Sequence, residues 1–144
     1  MSRKPEQKLW DLMRPSFAAH GLIAMRVENM LDDGFPDVVV QGANSAITFI
    51  ETKARPDIPT KPGNLALGDK YGLRTSQRNW WLRYARRGGR RGLIVSRLGD
   101  LLYAHEAAHW GETINQMTYA EFCDEAVAFT TAGISRMIAG RDWP

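Results

Sequence analysis

Cysteine is nearly absent from this sequence, and long apolar runs are missing from it altogether. Cys123 is the only cysteine among 144 residues, so the chain cannot form an internal disulfide. No apolar run approaches the roughly 20 residues that a membrane-spanning helix needs. The charged N-terminus is also not followed by the apolar stretch of a secretory signal. These absences exclude a disulfide-stapled secreted scaffold and a membrane protein, and they predict a cytoplasmic protein without a membrane partner.

Acidic residues are missing from one long stretch of the chain. Between Lys70 and Gly99 there are eight arginines, one lysine and no Asp or Glu, although the net charge of the whole chain is only +3. The rest of the chain is therefore net negative. Charge runs usually form a solvated helix face of mixed sign, but this stretch carries one sign only. The segregation favours a face that binds a polyanion.

Repeats and low-complexity segments are also lacking, and the length fits a single domain over residues 1–144. Apolar periodicity and turn residues predict helices at 4–14, 76–87 and 119–129, and strands at 22–28, 37–41, 46–53, 93–96 and 101–104. Pro15 should break or kink the first helix, and residues 55–74 should form a long loop. Thr118 and Glu121 form a capping box, and a further short helix is expected after Thr131.

The element order α-β-β-β-α-β-β-α predicts an α/β fold, in which helices flank a mixed sheet. The core should span residues 4–104, and a C-terminal helical extension should span residues 105–144.

Two short patterns on neighbouring predicted strands carry the candidate chemistry. Pro36-Asp37 opens one strand, and Glu51-Thr52-Lys53 ends the next. Side chains two residues apart on a strand share a face, so Glu51 and Lys53 project together. Pro-Asp is common in turns and Glu-X-Lys on solvated strands, so each pattern alone is weak. Their succession beside an arginine-rich helix favours a site.

The connection between the two strands decides whether the carboxylates meet. A five-residue connection, 42–46, would pair Gln41 with Ile47 and set Asp37 opposite Glu51. A four-residue connection would put the two carboxylates on opposite faces unless a bulge intervened. A nuclease site therefore predicts the five-residue register or a bulge.

Facing carboxylates repel each other unless a cation lies between them, and oxygen ligands of this kind suit Mg²⁺ or Mn²⁺. Such a metal makes water more acidic and able to attack phosphorus. Lys53 could orient that water and stabilise the negative charge that grows at the phosphorus centre.

The residues GFPD…ETK, together with Gln77 on the following helix, resemble the PD-(D/E)XK nuclease superfamily. The closest resemblance within it is to the small virus-type VRR-NUC endonucleases. It spans roughly residues 5–102. It implies a restriction-endonuclease-like core, α-β-β-β-α-β, and a Mg²⁺- or Mn²⁺-dependent endodeoxyribonuclease of a bacterial or virus-infected host cell. Small relatives of this type are often dimers that act on branched DNA, which implies a homodimer that cuts Holliday junctions or flaps.

The resemblance also implies roles for individual residues. The metal would be held by Asp37, Glu51 and the backbone carbonyl of Thr52. A glutamate of the first helix often joins such a site, and Glu6 is the best match. Glu6 could equally be an exposed carboxylate at a helix start, and Glu28 is its rival. Gln77 would lie near the metal and hold water or phosphate.

Arginines and aromatic residues alternate on the helix that carries Gln77. The arginines could contact DNA phosphates, which positions a protein without reading base sequence; the candidates are Arg55, Arg74, Arg78, Arg83, Arg86, Arg87 and Arg90. At least two of Trp80, Trp81 and Tyr84 should pack in the core, and stacking on a splayed base is the alternative. The 55–74 loop could close over the substrate.

A competing motif occurs at residues 105–109, which match the H-E-x-x-H pattern of zinc peptidases. On a helix, His105 and His109 would bind zinc and Glu106 would act as general base. Gly111 stops any helix after about one turn, and a third ligand is not evident, so a surface helix start with two exposed histidines is expected instead. A non-catalytic DNA-binding module with a nuclease fold is the other alternative, but the intact Asp37, Glu51 and Lys53 argue against it.

Overall fold

A computed structural model describes residues 5–27, 34–42, 46–140 and 143 of the chain. Its strands are β1 (Ile23–Arg26), β2 (Val38–Gln41), β3 (Ile47–Arg55), β4 (Gly92–Leu98) and β5 (Leu101–Glu106). Its α-helices are α1 (Pro5–Ala19), α2 (Gly68–Tyr71), α3 (Thr75–Arg86), α4 (Ala107–Trp110), α5 (Tyr119–Glu125) and α6 (Thr131–Ala139), and a 3₁₀ turn spans Ile114–Gln116. None of these helices is long and apolar enough to cross a membrane.

The five strands form one mixed sheet in the order β1-β2-β3-β4-β5. Strands β3 and β4 are parallel, and the other neighbours are antiparallel. The parallel pair is joined by a crossover that contains α2 and α3, as a parallel connection requires. The predicted α/β fold with an α-β-β-β-α-β core is confirmed.

The predicted hairpin register is also confirmed. Gln41 pairs with Ile47 and Val38 with Ile50. One step further along the same register, Asp37 lies opposite Glu51. The five-residue connection therefore brings the two carboxylates together without a bulge.

Two apolar clusters cover the two faces of the sheet. Helices α1 and α6 pack on one face, where the buried residues include Met13, Phe17, Val40, Ile50, Ile134 and Ile138. Helix α3, the 3₁₀ turn and α5 pack on the other face, where the buried residues include Leu67, Trp81, Ile94, Tyr103, Ile114 and Phe122. Residues after the predicted core thus supply large parts of both clusters.

Pro15 does not break the first helix, which excludes one of the two effects, a break or a kink, that the sequence predicts. Helix α1 runs without interruption from Pro5 to Ala19 with Pro15 inside it. Proline lacks the N–H of the ordinary helical bond, but this position is exposed and water can solvate the backbone there. Met13 and Phe17 lie on either side of Pro15 and are both buried, so packing on the sheet maintains the helix.

Helix α5 ends at Glu125, earlier than the predicted end at residue 129. The chain after it pairs with the edge strand: Val127 N–H donates to the Ala104 carbonyl at 2.8 Å, and Ala104 N–H donates to the Ala128 carbonyl at 2.9 Å. A long-range contact therefore replaces the last predicted turn. The Thr118 cap and the later helix are confirmed.

Residues 55–74 form the long loop that the sequence predicts only in part, because Arg55 still belongs to β3. They contain α2, and their backbone bonds to the C-terminal segment. Ala66 N–H donates to the Met117 carbonyl at 3.1 Å, and Tyr119 N–H donates to the Asn64 carbonyl at 2.7 Å. The segment is therefore held in place beside the sheet.

Candidate active site

Asp37 directly precedes β2 and is held there by hydrogen bonds from the neighbouring strand β3. Its Oδ2 accepts hydrogen bonds from the Thr52 N–H at 2.9 Å and the Thr52 hydroxyl at 2.8 Å. The chain just before Asp37 lies against helix α3, because a Cβ on Gly34 would collide with the Ser76 carbonyl oxygen. Only glycine fits this approach, so Gly34 helps to bring Asp37 close to the start of α3.

Gln77 links the other predicted site residues. Its amide nitrogen donates to Glu51 Oε1 at 2.6 Å, and its amide oxygen accepts from Lys53 Nζ at 2.9 Å. The same oxygen accepts the Arg74 backbone N–H at 2.8 Å. Lys53 Nζ also lies 3.8 Å from Glu51 Oε1. Gln77 thus orients both Glu51 and Lys53, and the structure brings together Asp37, Glu51, Lys53 and Gln77 as predicted.

Glu51 is held in an electrostatically unfavourable position. Its side chain is fully buried, and among the described residues its Oε2 has no hydrogen-bond partner. Burial raises the pKa of Glu51 well above its ordinary value, and the nearby negative charge of Asp37 raises it further. Lys53 and Arg74 offset this rise in part. The pair of carboxylates therefore favours either a proton or a cation between its oxygens.

The oxygen atoms at this site fit a hard divalent cation. Asp37 and Glu51 supply carboxylates, and the partnerless buried Oε2 of Glu51 is the kind of atom that a metal would satisfy. Within the described ranges there is no group of three or more His, Cys, Asp or Glu side chains that could hold a metal. A metal at this site would need further ligands besides the two carboxylates, and the Thr52 carbonyl remains the predicted one. Glu6 is half-buried on α1 at the edge of the same cleft, and Glu28 lies outside the described residues.

The site opens into a cleft of about 540 Å³. Besides the predicted residues, its lining includes Arg26, Asp69, Lys70 and Tyr71. Arg26 ends β1, and the other three belong to α2. Arg26 and Tyr71 were missed by the sequence analysis because nothing in their local pattern indicates that two separate segments meet at this cleft.

The predicted DNA-binding arginines fall into groups with different surroundings. Arg74 is exposed at the cleft. The Arg55 guanidinium bonds the Asp57 carboxylate and two backbone carbonyls, and Arg78 lies 3.7 Å from Asp69. The other four are exposed around the C-terminal end of α3: Arg83, Arg86, Arg87 and Arg90. At 1.5 Å per residue this end lies roughly 15 Å along the helix from Gln77.

The aromatic residues of α3 pack mainly with one another. Trp81 is buried, and the Trp80 and Tyr84 rings are stacked with centroids 5.3 Å apart. Trp80 also meets Phe35 and Phe49 edge-on, with both centroids 5.4 Å away. The predicted core-packing role is confirmed, and the cluster connects the start of β2 and β3 to α3.

The H-E-x-x-H residues do not form a helical zinc motif. His105 lies in strand β5 and is fully buried, and its Nε2 donates to the Phe122 carbonyl at 2.7 Å. Burial lowers the pKa of His105 to about 4, so its ring is neutral near pH 7. His109 is exposed on α4. The expectation of two exposed histidines is therefore wrong for His105, and the zinc-peptidase interpretation fails because the motif does not share one helix.

Similarity to known proteins was found in structure and not in sequence. No protein-family model and no curated protein matches this sequence. Among solved structures, the chain is similar to a VRR_NUC domain at 21% sequence identity and a TM-score of 0.47, over 67% of this chain and 88% of that one. It is also similar to a Holliday junction resolvase from the archaeal hyperthermophile Archaeoglobus fulgidus, at 18% identity and a TM-score of 0.46, over 81% of this chain and 95% of that one. The first of these structures carries the name of the family type that the sequence resembles.

Proposed function

We propose that this protein is a metal-dependent endonuclease that hydrolyses phosphodiester bonds in DNA. The observation that carries the proposal is the pair of opposed carboxylates, Asp37 and buried Glu51, joined to Lys53 through Gln77. A buried carboxylate with an unsatisfied oxygen destabilises a fold unless a ligand compensates it. Its position in an open cleft supports a catalytic role.

Asp37, Glu51 and the Thr52 carbonyl would hold Mg²⁺ or Mn²⁺. When bound, such an ion neutralises the carboxylates, polarises the phosphate and makes water more acidic. Lys53 supplies a fixed positive charge beside this position, because Gln77 accepts its hydrogen bond at 2.9 Å. It would orient the attacking water and stabilise the charge that develops at phosphorus. Glu6, in the wall of the cleft, is proposed as an additional metal ligand.

DNA is the proposed substrate because basic residues extend away from the site. Arg74 lies at the cleft, and a cluster of arginines lies at the far end of α3, with no acidic residue between positions 70 and 99. Phosphate contacts at the two ends of one helix would fix a DNA strand across the site. We propose branched DNA, a flap or a Holliday junction, as the preferred substrate, and the cytoplasm of a bacterial or virus-infected cell as the location.

The decisive experiment is a cleavage assay on linear duplex, single-stranded, flap and four-way-junction DNA, with Mg²⁺, Mn²⁺ or EDTA. We expect metal-dependent cleavage that falls at least about 100-fold in Asp37→Ala and Lys53→Ala, since each removes transition-state stabilisation. Arg136→Ala, an exposed change on α6, is the matched control. Undiminished activity in either site variant would contradict the mechanism. Binding without cleavage under every metal would indicate a non-catalytic DNA-binding module instead.

A homodimer is proposed as the active form, since two subunits related by a two-fold axis would place one active site at each of two DNA strands. Ile23 and Met25 on the edge strand β1 are 68% and 65% exposed, and such apolar surface suits an interface. Light scattering at micromolar concentration measures the mass directly. A monomer under those conditions would contradict the dimer but leave the nuclease proposal standing.

A further inference from the structure

Tyr71 is the one aromatic residue among the described residues that line the catalytic cleft. Most of that lining is charged or polar. The hydrogen bonds that organise the carboxylates run through Gln77 and Thr52, and Tyr71 takes no part in them. Neither metal binding nor phosphate binding needs an aromatic ring in this wall. Its presence points to a different kind of contact with the substrate.

A fixed cation lies over the ring of Tyr71. The guanidinium carbon of Arg55 lies 5.3 Å from the ring centroid. Arg55 is itself anchored, because it donates to the Leu65 and Ala66 carbonyls at 3.0 and 2.9 Å and to both oxygens of Asp57. This arginine was predicted to contact DNA. Its bonds suit it better to holding the Tyr71 ring in position.

The backbone that carries Tyr71 is fixed by the C-terminal part of the chain. Leu73 N–H donates to Asn115 Oδ1 at 2.7 Å, and Asn115 Nδ2 donates to the Leu73 carbonyl at 2.8 Å. Asn115 is buried, and any Cβ on Gly72 would collide with its amide. Tyr71 is therefore presented to the cleft in a set position, so an incoming ligand need not order it.

Lys70 completes the arrangement. Its ammonium lies 5.2 Å from the Tyr71 ring centroid, on a side chain that is exposed. An exposed lysine can exchange this weak contact for a phosphate oxygen without much loss. A nucleotide that displaces Lys70 from the ring would thus meet an aromatic surface and a cation for its phosphate.

We propose that Tyr71 stacks on an unpaired base beside the scissile phosphate, while Lys70 binds the adjoining phosphate. Every base has a π-face, so the contact would be tolerant of sequence. A base within a continuous duplex is already stacked on both sides and cannot offer that face. The inference rests on the proposed nuclease function and sharpens its substrate class: DNA that is unpaired at the cut, such as a flap base or a junction crossover.

The test is a protein–DNA double-mutant cycle. Equilibrium binding of a labelled flap DNA is measured by fluorescence anisotropy in EDTA, where the substrate stays intact. The flap carries an abasic spacer at one of three nucleotides around the mapped cleavage position. We expect one abasic position to weaken wild-type binding about 5- to 150-fold, the range of one base–aromatic stack. Tyr71→Ala should weaken binding of the normal flap equally and abolish sensitivity to that abasic position.

Three further variants separate stacking from folding. Tyr71→Phe keeps the ring and should bind like wild type, whereas Tyr71→Leu keeps an apolar side chain without a π-face and should behave like Tyr71→Ala. Phe129→Ala removes a ring that is 54% exposed outside the cleft and should leave the abasic response unchanged. Equal abasic sensitivity in wild type, Tyr71→Ala and Tyr71→Leu would overturn the inference. If wild type cleaves flaps but shows no abasic coupling, only this inference fails. If it cleaves no DNA with any metal, the proposed function fails with it.

Discussion

Glu51 is the residue at which stability and the proposed activity conflict most clearly. We expect Glu51→Gln to raise the thermal stability of the metal-free protein at pH 7, because folding then has neither to bury a carboxylate nor to protonate it, and the amide can donate to Asp37. An increase of about 1 kcal/mol corresponds to roughly 3 °C or more for a chain of this size. Cleavage should be lost. Differential scanning calorimetry in EDTA and the cleavage assay measure the two effects.

Added Mg²⁺ or Mn²⁺ provides the matched comparison for this variant. The metal should raise the melting temperature of wild type through preferential binding to the folded state, and it should do so much less in Glu51→Gln. Equal metal-induced shifts in both proteins would mean that the ion binds elsewhere.

His105 makes the stability of the protein depend on pH. Its folded pKa of about 4 lies below the ordinary value of 6.5 because its ring is buried. The unfolded state therefore takes up a proton first as the pH falls. This contribution is fully present above pH 6.5 and is lost between about pH 6.5 and 4, and it can reach roughly 3 kcal/mol. Urea unfolding across this range should show a steeper loss in wild type than in His105→Gln.

The exposed His109 is the control for that experiment. His109→Gln should follow the wild-type pH dependence, because the ring is solvated in both the folded and unfolded states. If His109→Gln flattened the pH profile as much as His105→Gln, burial of His105 could not be the cause.

Helix α1 shows how packing overrides a local helix breaker. We expect Pro15→Ala to stabilise the protein by about 1–3 kcal/mol, because alanine restores the N–H and the best helix propensity at an exposed interior position. Thermal unfolding measures the change. Arg14→Ala, one residue earlier and also exposed, should shift stability by no more than about 0.5 kcal/mol. A destabilised Pro15→Ala would mean that the fold requires the proline.

Helix α3 carries the site at one end and arginines at the other. Replacing Arg86, Arg87 and Arg90 with alanine should weaken binding of all DNA sequences alike and lower the salt dependence, by about one unit of slope for each lost phosphate contact. Anisotropy titrations in EDTA at several salt concentrations measure this. Arg136→Ala on α6 is the control. An unchanged slope in the triple variant would exclude this end of α3 from the DNA interface.

Local pattern and loop length were sufficient to predict much of the site. Alternation put Glu51 and Lys53 on one face. The nuclease interpretation required the five-residue connection that sets Asp37 opposite Glu51, and the register confirms it. The remaining features depend on long-range pairing, which the local sequence does not show. By local pattern, His105 and Glu106 fit the start of a helix as well as the end of a strand. Their pairing with β4 is what places them in strand β5. Tyr71 reaches the cleft because residues 64–73 bond to the segment around Asn115 and Met117, more than 40 residues away in sequence.

At the scale of the whole molecule, the C-terminal extension belongs to the core of the domain and is not an appendage. We expect a chain that ends at residue 106, just after the predicted core, to remain unfolded. Ile114, Phe122, Ile134 and Ile138 are at most 1% exposed. Burying four such side chains stabilises by about 6–12 kcal/mol, comparable with the whole net stability of a domain, about 5–15 kcal/mol.

The truncated chain would also lose Asn115 and the partners of residues 64–66, so the wall of the cleft would have nothing to hold it. Circular dichroism and urea titration of residues 1–106, compared with residues 1–140, provide the measurement. The longer fragment keeps α6 and should unfold cooperatively. Its stability should be somewhat lower than that of the full chain, because it lacks Trp143, whose ring centroid lies 4.7 Å from the guanidinium carbon of Arg91. Cooperative unfolding of the shorter fragment would show that the sheet, α1 and α3 fold without the extension. The extension would then serve only to position Tyr71 and α2.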